Sequence, residues 1–289
     1  MRVPGARCYV AGRMPELPEV EIARRNLARW LHGHRVVKAE ADNTRVFRGA
    51  KRAKFSELTG RVESLERKGK YLMLTFEGER GLLAHLGMTG KFVRRPEGRV
   101  ESHSRARLHL DDGTVIHFKD SRLFGRMEPA PASRLRQLKA IRELGRDPVV
   151  EGLTAEQLRE ALGRSRQDLK VALMDQGRVA GLGNIYAVEA LFLAGLHPAR
   201  KPASLKPEEW ERLTQAIHEV LQAAMAQEAG EEQVYLEEEQ GSDNPFRIYG
   251  RAGTPCLKCG TKVRSFTQGG RTTHFCPKCQ PLRSKARKR

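Results

Sequence analysis

Cysteine is scarce in this sequence, with five in 289 residues, too few for a disulfide-stapled scaffold. No apolar run approaches the roughly 18 residues that a membrane-spanning helix needs. Arg2 to Arg13 lacks the continuous apolar stretch of a secretory signal. These absences predict a soluble, cytoplasmic protein. Hydrophobic residues reach 39%, enough for a packed core, which argues against global disorder. Acidic residues are missing from both ends. The net charge of +18 therefore divides unevenly: +3 in residues 1–13, +11 in residues 251–289 and only +4 between them. Such a surplus favours a polyanionic partner without identifying it. Arg283 to Arg289 reads as a solvated tail that adds non-specific attraction to phosphates.

Glu16 to Leu31 reads as a helix, because Val20, Ala23, Leu27, Trp30 and Leu31 recur at helical spacing and Gly33 suits its end. From about Arg35 to Met127 the pattern changes to short strands, among them Tyr71 to Phe76 and Gly81 to Leu86. Arg107–Leu110 and Thr114–Phe118 flank Asp111-Asp-Gly113, a hairpin signal. This spacing predicts a β-sandwich or barrel. Glu128-Pro-Ala-Pro-Ala132 reads as a linker. Beyond it the chain turns helical. Thr154 with Gln157 forms a capping box. Further helices are expected from about Gln167 to Gln176, from about Asn184 to Ala194, and after Pro207. In the last of these, Trp210, Leu213, Ile217, Val220, Leu221 and Ala224 share one face. Glu231 to Gln240 is acidic with weak structural signal, and no internal repeat is visible.

Four of the cysteines form two matched pairs, Cys256-Leu-Lys-Cys259 and Cys276-Pro-Lys-Cys279, with sixteen residues between them. That spacing predicts a closed four-thiolate site for one structural Zn2+, which would hold the fold rather than catalyse. Thr261 to Phe275 is expected to form a β-hairpin turning at Gly269-Gly270. Cys8 has no place in this arrangement. A zinc hairpin with eleven nearby cations and no acids suits a phosphate backbone.

Met14-Pro-Glu-Leu-Pro-Glu-Val-Glu21 adds chemistry. Read plainly, two prolines open a helix whose first turn is acidic, as the helix dipole prefers. If Pro15 is the mature N-terminus, its secondary amine is a nucleophile. An α-amino group has a pKa of about 7.7–8, against about 10.4 for lysine, so far more of it is unprotonated near neutral pH. Glu16 lies beside it as a proton carrier. Here the sequence closely resembles the bacterial formamidopyrimidine-DNA glycosylase family. The resemblance runs from Met14 to about Gln280. It is carried by the opening string, Arg67-Lys-Gly-Lys-Tyr71, His85-Leu-Gly-Met-Thr-Gly90, Asp120-Ser-Arg-Leu-Phe-Gly125, Asp175 to Ala187, Tyr249-Gly-Arg251 and the cysteine hairpin.

The resemblance implies an α+β multidomain fold. Its parts are an N-terminal β-sandwich catalytic domain with a leading helix (14–131), a helical helix–two-turn–helix domain (132–250) and a C-terminal zinc-finger β-hairpin (251–280). An extension (1–13) precedes them and a basic tail (281–289) follows. It implies a monomeric base-excision-repair enzyme, bacterial and nucleoid-associated, acting on double-stranded DNA that carries an oxidised base or abasic site. The lesion nucleotide is flipped out, and Met88, Arg122 and Phe124 fill the gap. Pro15 attacks C1′, and β- and δ-elimination follow with Glu16 shuttling protons. Glu19 lies near the lesion site. Lys70, Asn184 and Arg271 hold phosphates, and Tyr249 and Arg251 contact the backbone.

Three departures accompany the resemblance. Thirteen residues precede Met14, so the mechanism expects a later start or removal of the extension. Leu123 stands where the family commonly has arginine. Glu231 to Phe246 lacks the Gly-Tyr-Phe-containing loop of many members. Oxidised purines are the expected substrates, since Leu17 matches the purine branch. The alternatives are an endonuclease VIII-like enzyme for oxidised pyrimidines and a catalytically silent binder of damaged DNA.

Overall fold

The computed structural model describes residues 15–47, 51–226 and 244–282. The 1–13 extension, residues 231–243 of the acidic stretch and the Arg283–Arg289 tail lie outside the described residues. The chain divides into two compact units. Among the described residues, the first holds 15–47, 51–143 and 225–226, and the second holds 144–224 and 244–282.

The first unit opens with α1 (Leu17–Leu31), β1 (Val36–Ala41) and α2 (Lys51–Phe55). Then come β2 (Val62–Lys68), β3 (Tyr71–Phe76), β4 (Arg80–His85), β5 (Lys91–Pro96), β6 (Ser104–Leu110), β7 (Thr114–Lys119) and β8 (Arg126–Pro131). The strands make two four-stranded sheets, ordered β1-β6-β7-β5 and β2-β3-β4-β8, in which each paired neighbour is antiparallel. One apolar core joins them. It takes Val36, Leu108, Ile116 and Phe118 from the first sheet and Leu72, Leu74, Phe76, Leu82 and Met127 from the second. It also takes Val20, Leu27 and Trp30 from α1. The expected sandwich is therefore present, with its leading helix in the same core. Strand alternation accounts for it: in β6, Ala106, Leu108 and Leu110 are buried while Arg105, Arg107 and His109 are only half-buried on the opposite face. The β6–β7 hairpin turns through Gly113 at φ +75°.

One expectation is corrected. Glu128-Pro-Ala-Pro-Ala132 is not a linker; all but its last residue belong to β8, which pairs with β4 from His85↔Arg126 to Arg80↔Pro131. β8 is an edge strand, so the missing N–H groups of Pro129 and Pro131 leave no gap in an inner ladder. The chain then stays on the first unit through a 3-10 turn (Ala132–Gln137) and the short α3 (Lys139–Arg142). Leu135 is buried over Gly81, where a side chain would collide with it at 2.8 Å.

The second unit contains α4 (Ala155–Leu162), α5 (Leu169–Leu173), α6 (Asn184–Leu193), α7 (Pro207–Met225, apart from its last residue) and the hairpin β9 (Arg264–Gln268) and β10 (Arg271–Phe275). The capping box at α4 forms: Gln157 N–H donates to the Thr154 hydroxyl at 3.2 Å, and Thr154 N–H donates to the Gln157 carbonyl at 2.9 Å. α5 is shorter than its sequence implies. Tight i+3 turns end it, and the Asp175 carboxylate then accepts from Gly177 N–H at 3.0 Å. Residues Ile185 to Phe192 of α6 are all buried, so it is the unit's central helix. Among the described residues, no helix is long and apolar enough to cross a membrane.

Candidate functional site

Pro15 and Glu16 sit at the start of α1, both buried, with Glu16 at the N-cap position in extended backbone (φ −103°). Pro18 in the first turn lacks an N–H where the helix has no acceptor for one. Glu19 is buried beneath them, and its carboxylate accepts from Glu16 N–H at 2.9 Å. The backbone that carries Pro15 and Glu16 is thereby fixed to the helix end, where acidic groups also meet the positive pole of the dipole.

The next turn of α1 reaches Lys70. Glu21 is buried and receives Arg24 at 2.8 Å and the fully buried Arg67 side chain at 3.0 Å. Burial pushes the Glu21 carboxyl up, but hydrogen bonds from Arg24 and Arg67 outweigh it and hold the group below its ordinary value. Arg67 also donates to the Gly69 carbonyl at 3.1 Å. Gly69 (φ +55°) and Lys70 form the two-residue turn between β2 and β3, so the Glu21–Arg67 pair fixes the turn that carries Lys70.

Beside it lies a residue that sequence reasoning passed over. Register places Tyr71, His85 and Arg126 in one row across β3, β4 and β8. Burial, reinforced by the Lys70 and Arg126 charges, lowers the His85 imidazole to about 4. It is therefore neutral at physiological pH. Its Nδ1 accepts from Gly87 N–H at 3.0 Å, which leaves the proton on Nε2. His85 is thus an uncharged donor beside a lysine. Its place at the head of the His85–Gly90 motif was the available signal.

Met88, Arg122 and Phe124 lie on two adjoining loops. Phe124 is 49% exposed, an unusual position for a large apolar ring. Arg122 is exposed and Met88 half-buried. Core packing therefore does not explain Phe124. The loops are joined by Asp120, which is fully buried. Its Oδ1 accepts from the Thr89 hydroxyl at 2.5 Å and Arg122 N–H at 3.2 Å, and its Oδ2 from Gly125 N–H at 2.7 Å. Gly87 (φ +68°) touches the same loop so closely that a Cβ would lie 2.3 Å from the Phe124 carbonyl carbon.

In the second unit, α6 organises the other candidates. Asn184, its first residue, donates from Nδ2 to the Thr272 carbonyl of β10 at 3.0 Å, which ties the helix start to the hairpin. Glu189 is buried, and its carboxylate accepts from the N–H groups of Arg247, Ile248 and Tyr249 at 3.0, 2.9 and 2.8 Å. The Tyr249 ring packs 5.2 Å from His274 of β10 and 5.7 Å from Phe246. Arg251 points to the carbonyls of Asn244 and Phe246 at 3.4 and 3.5 Å. Arg271 is exposed immediately after Gly269 and Gly270, whose φ values of +57° and +70° make the expected glycine turn.

The Sγ atoms of Cys256, Cys259, Cys276 and Cys279 all lie within 4.8 Å of one another. Two of the separations are 3.9 Å (Cys256–Cys279) and 3.5 Å (Cys259–Cys276). A tetrahedron with Zn–S bonds of about 2.3 Å has edges of about 3.8 Å. The four sulfurs therefore fit one structural zinc ion and leave no fifth protein ligand or open catalytic position. Among the described residues no other group of His, Cys, Asp or Glu has this arrangement. The thiols lean on a small cluster in which Val188, Phe192, Ile248 and Val263 are buried with Cys256 and Cys276.

Three family models match in order along the chain: the formamidopyrimidine-DNA glycosylase N-terminal domain over residues 14–127, its H2TH domain over 144–235, and a zinc finger found in FPG and IleRS over 253–282. Formamidopyrimidine-DNA glycosylase of Symbiobacterium thermophilum is 39% identical over 275 residues, covering 93% of this chain and 90% of the relative. The crystal structure of MutM (Fpg) from Thermus thermophilus matches with a TM-score of 0.76 and 36% identity, covering 92% of this chain and 98% of that one. A Lactococcus lactis Fpg variant in complex with Fapy-dG-containing DNA matches with a TM-score of 0.81 and 30% identity, covering 92% and 100%. With its sandwich, α6-centred helical unit and zinc finger all in the matching order, the chain belongs to the formamidopyrimidine-DNA glycosylase family.

Proposed function

We propose that the chain is a bifunctional glycosylase and lyase of base excision repair that removes oxidised purines, formamidopyrimidines and 8-oxoguanine, from double-stranded DNA. The observation that carries this reading is the Pro15–Glu16 pair at the N-terminus of α1, held by Glu19. The Pro15 nitrogen forms a bond to C1′ of the flipped nucleotide as the C1′–base bond breaks. The base leaves with a proton. Glu16 protonates the sugar ring oxygen, and the ring opens to an iminium. The iminium accepts the electrons released when a C2′ proton departs. The 3′ phosphate leaves first and the 5′ phosphate second, which are β- and δ-elimination. A secondary amine serves because its iminium carries a full positive charge without needing a further proton.

The remaining candidates divide by unit. In the first, Met88, Arg122 and Phe124 fill the gap left by the flipped base, and Lys70 holds a phosphate. In the second, Asn184 and Arg271 hold phosphates, and Tyr249 and Arg251 contact the DNA backbone. The domain ranges 14–131, 132–250 and 251–280 expected above are proposed with one change: residues 132–143 go with the sandwich, since they belong to the first unit. The reading requires Pro15 to be the first residue of the working enzyme, so that its nitrogen is an amine rather than an amide. Residues 1–14 lie outside the described residues.

A panel of lesion duplexes tests the substrate. Protein beginning at Pro15 is expected to excise formamidopyrimidine and 8-oxoguanine under single turnover, and Glu16→Gln is expected to lose at least a hundredfold in rate. A preference for oxidised pyrimidines would replace the substrate assignment. Tight binding without excision of any lesion would replace the enzyme with a binder.

A further inference from the structure

We propose that Arg45, far in sequence from any residue assigned above, is the positioning residue for the Arg122–Phe124 wedge. The inference rests on reading Phe124 as that wedge. Arg45 Nε donates to the Leu123 carbonyl at 2.8 Å and its Nη2 to the Arg122 carbonyl at 2.7 Å. The same guanidinium carbon lies 5.1 Å from the Phe124 ring centroid, as does that of Arg122. One planar fork therefore fixes two successive carbonyls and one face-on ring contact. Lysine, with a single point of charge, has no equivalent geometry.

The loop needs such a brace. Leu123 adopts φ +57°, a left-handed conformation that a leucine rarely takes. Its side chain is drawn down to pack on the sandwich core, while Phe124 beside it is raised into solvent. Asp120 secures the two ends of the loop through Arg122 N–H and Gly125 N–H, and Arg45 secures the middle.

Arg45 is itself fixed. The next residue, Val46, is fully buried in the core, and its carbonyl accepts from Met127 N–H at 3.1 Å. Just before it, Asp42 receives the Thr44 hydroxyl at 2.6 Å and Arg105 at 3.2 Å. An element held in this way pre-forms the wedge before DNA arrives. The ordering is then complete before the base leaves the stack.

A wedge is needed most where the target base is fully stacked and paired, because extrusion is then most expensive. The test uses the full chain and two duplexes, with 2-aminopurine beside the lesion. In one duplex the lesion is paired; in the other it and its neighbour face unpaired bases. Stopped-flow fluorescence reads unstacking. Arg45→Ala is expected to slow unstacking about tenfold on the paired duplex and less than twofold on the unpaired one. Arg45→Lys should recover only part of the loss, and thermal midpoints should stay within a few degrees of the parent. Equal slowing on both duplexes, or full recovery by lysine, would overturn the inference. Phe124→Ala separates the two readings. If it slows the paired duplex while Arg45→Ala does not, the role of Arg45 falls alone. If Phe124→Ala changes neither duplex, the wedge falls and this inference with it.

Discussion

Lys70 sits in a two-residue hairpin turn and Arg271 directly after one, yet the two turns are held by different physics. Lys70 follows Gly69 between β2 and β3, is buried, and is tied through Arg67 to Glu21 of α1. Arg271 follows Gly269-Gly270, is exposed, and belongs to a hairpin of two five-residue strands. The sandwich holds its turn with a large core and a buried ion pair. The zinc finger has too little core for that, and four thiolates close its open end. Cations with the same proposed task therefore depend on separate supports, so each should fail without the other.

Metal removal should have the largest effect. Structural zinc contributes on the order of 10 kcal/mol or more to folding such modules. Chelation, or Cys276→Ser, is expected to abolish hydrogen-exchange protection across β9 and β10 and to leave β3 and β4 protected. Loss of protection in the sandwich as well would mean that the two supports are not separate.

Arg67→Ala should do the converse. It leaves Glu21 buried with one partner fewer, and breaking a buried pair costs about 3–5 kcal/mol. Urea unfolding should show that loss, while zinc content stays at one ion per chain. A change below about 1 kcal/mol would mean the pair does not support the turn.

Acid should weaken the sandwich in two stages. Burial lowers the His85 imidazole to about 4 from an ordinary 6.5. The unfolded chain therefore binds that proton first, and stability falls as pH drops from about 6.5 to about 4. Glu40 and Glu101 are held at about 2 from an ordinary 4.5. For Glu40 the causes are hydrogen bonds from Lys38, His109 and Arg107; for Glu101, burial raises the group but Lys119 and Arg95 overcome it. Their contribution is full above about 4.5 and is lost as pH falls towards about 2. Unfolding midpoints measured from pH 7 to 2 should decline through both windows, and His85→Gln should flatten the upper one. A midpoint that rises on acidification would contradict the sign.

The smallest effect belongs to the glycine turn. Gly270 (φ +70°) has open space around its Cβ position, so Gly270→Ala tests backbone strain alone. It should cost about 1 kcal/mol in the metal-bound protein, read as a small drop in the thermal midpoint of the zinc unit.

Much of this was legible in the sequence where the signal is local. Helical spacing gave α1, the short apolar run Tyr71–Phe76 gave β3, and the paired cysteines gave the metal site. Glu128–Ala132 misled because two prolines look alike in a linker and in an edge strand; only pairing with β4 distinguishes them. The supports behind the candidate residues were not legible at all. Glu21 meets Arg67 across 46 positions, Glu189 meets Tyr249 across 60, and Arg45 meets Leu123 across 78. No periodicity records such pairs, because the fold alone brings them together.

The central claim is that the Pro15 nitrogen is the nucleophile, and borohydride trapping followed by mass mapping tests it most directly. With protein beginning at Pro15 and a formamidopyrimidine duplex, reduction should yield one covalent protein–DNA adduct whose modified peptide starts at Pro15. An adduct on a lysine, or excision with no adduct at all, would contradict the account.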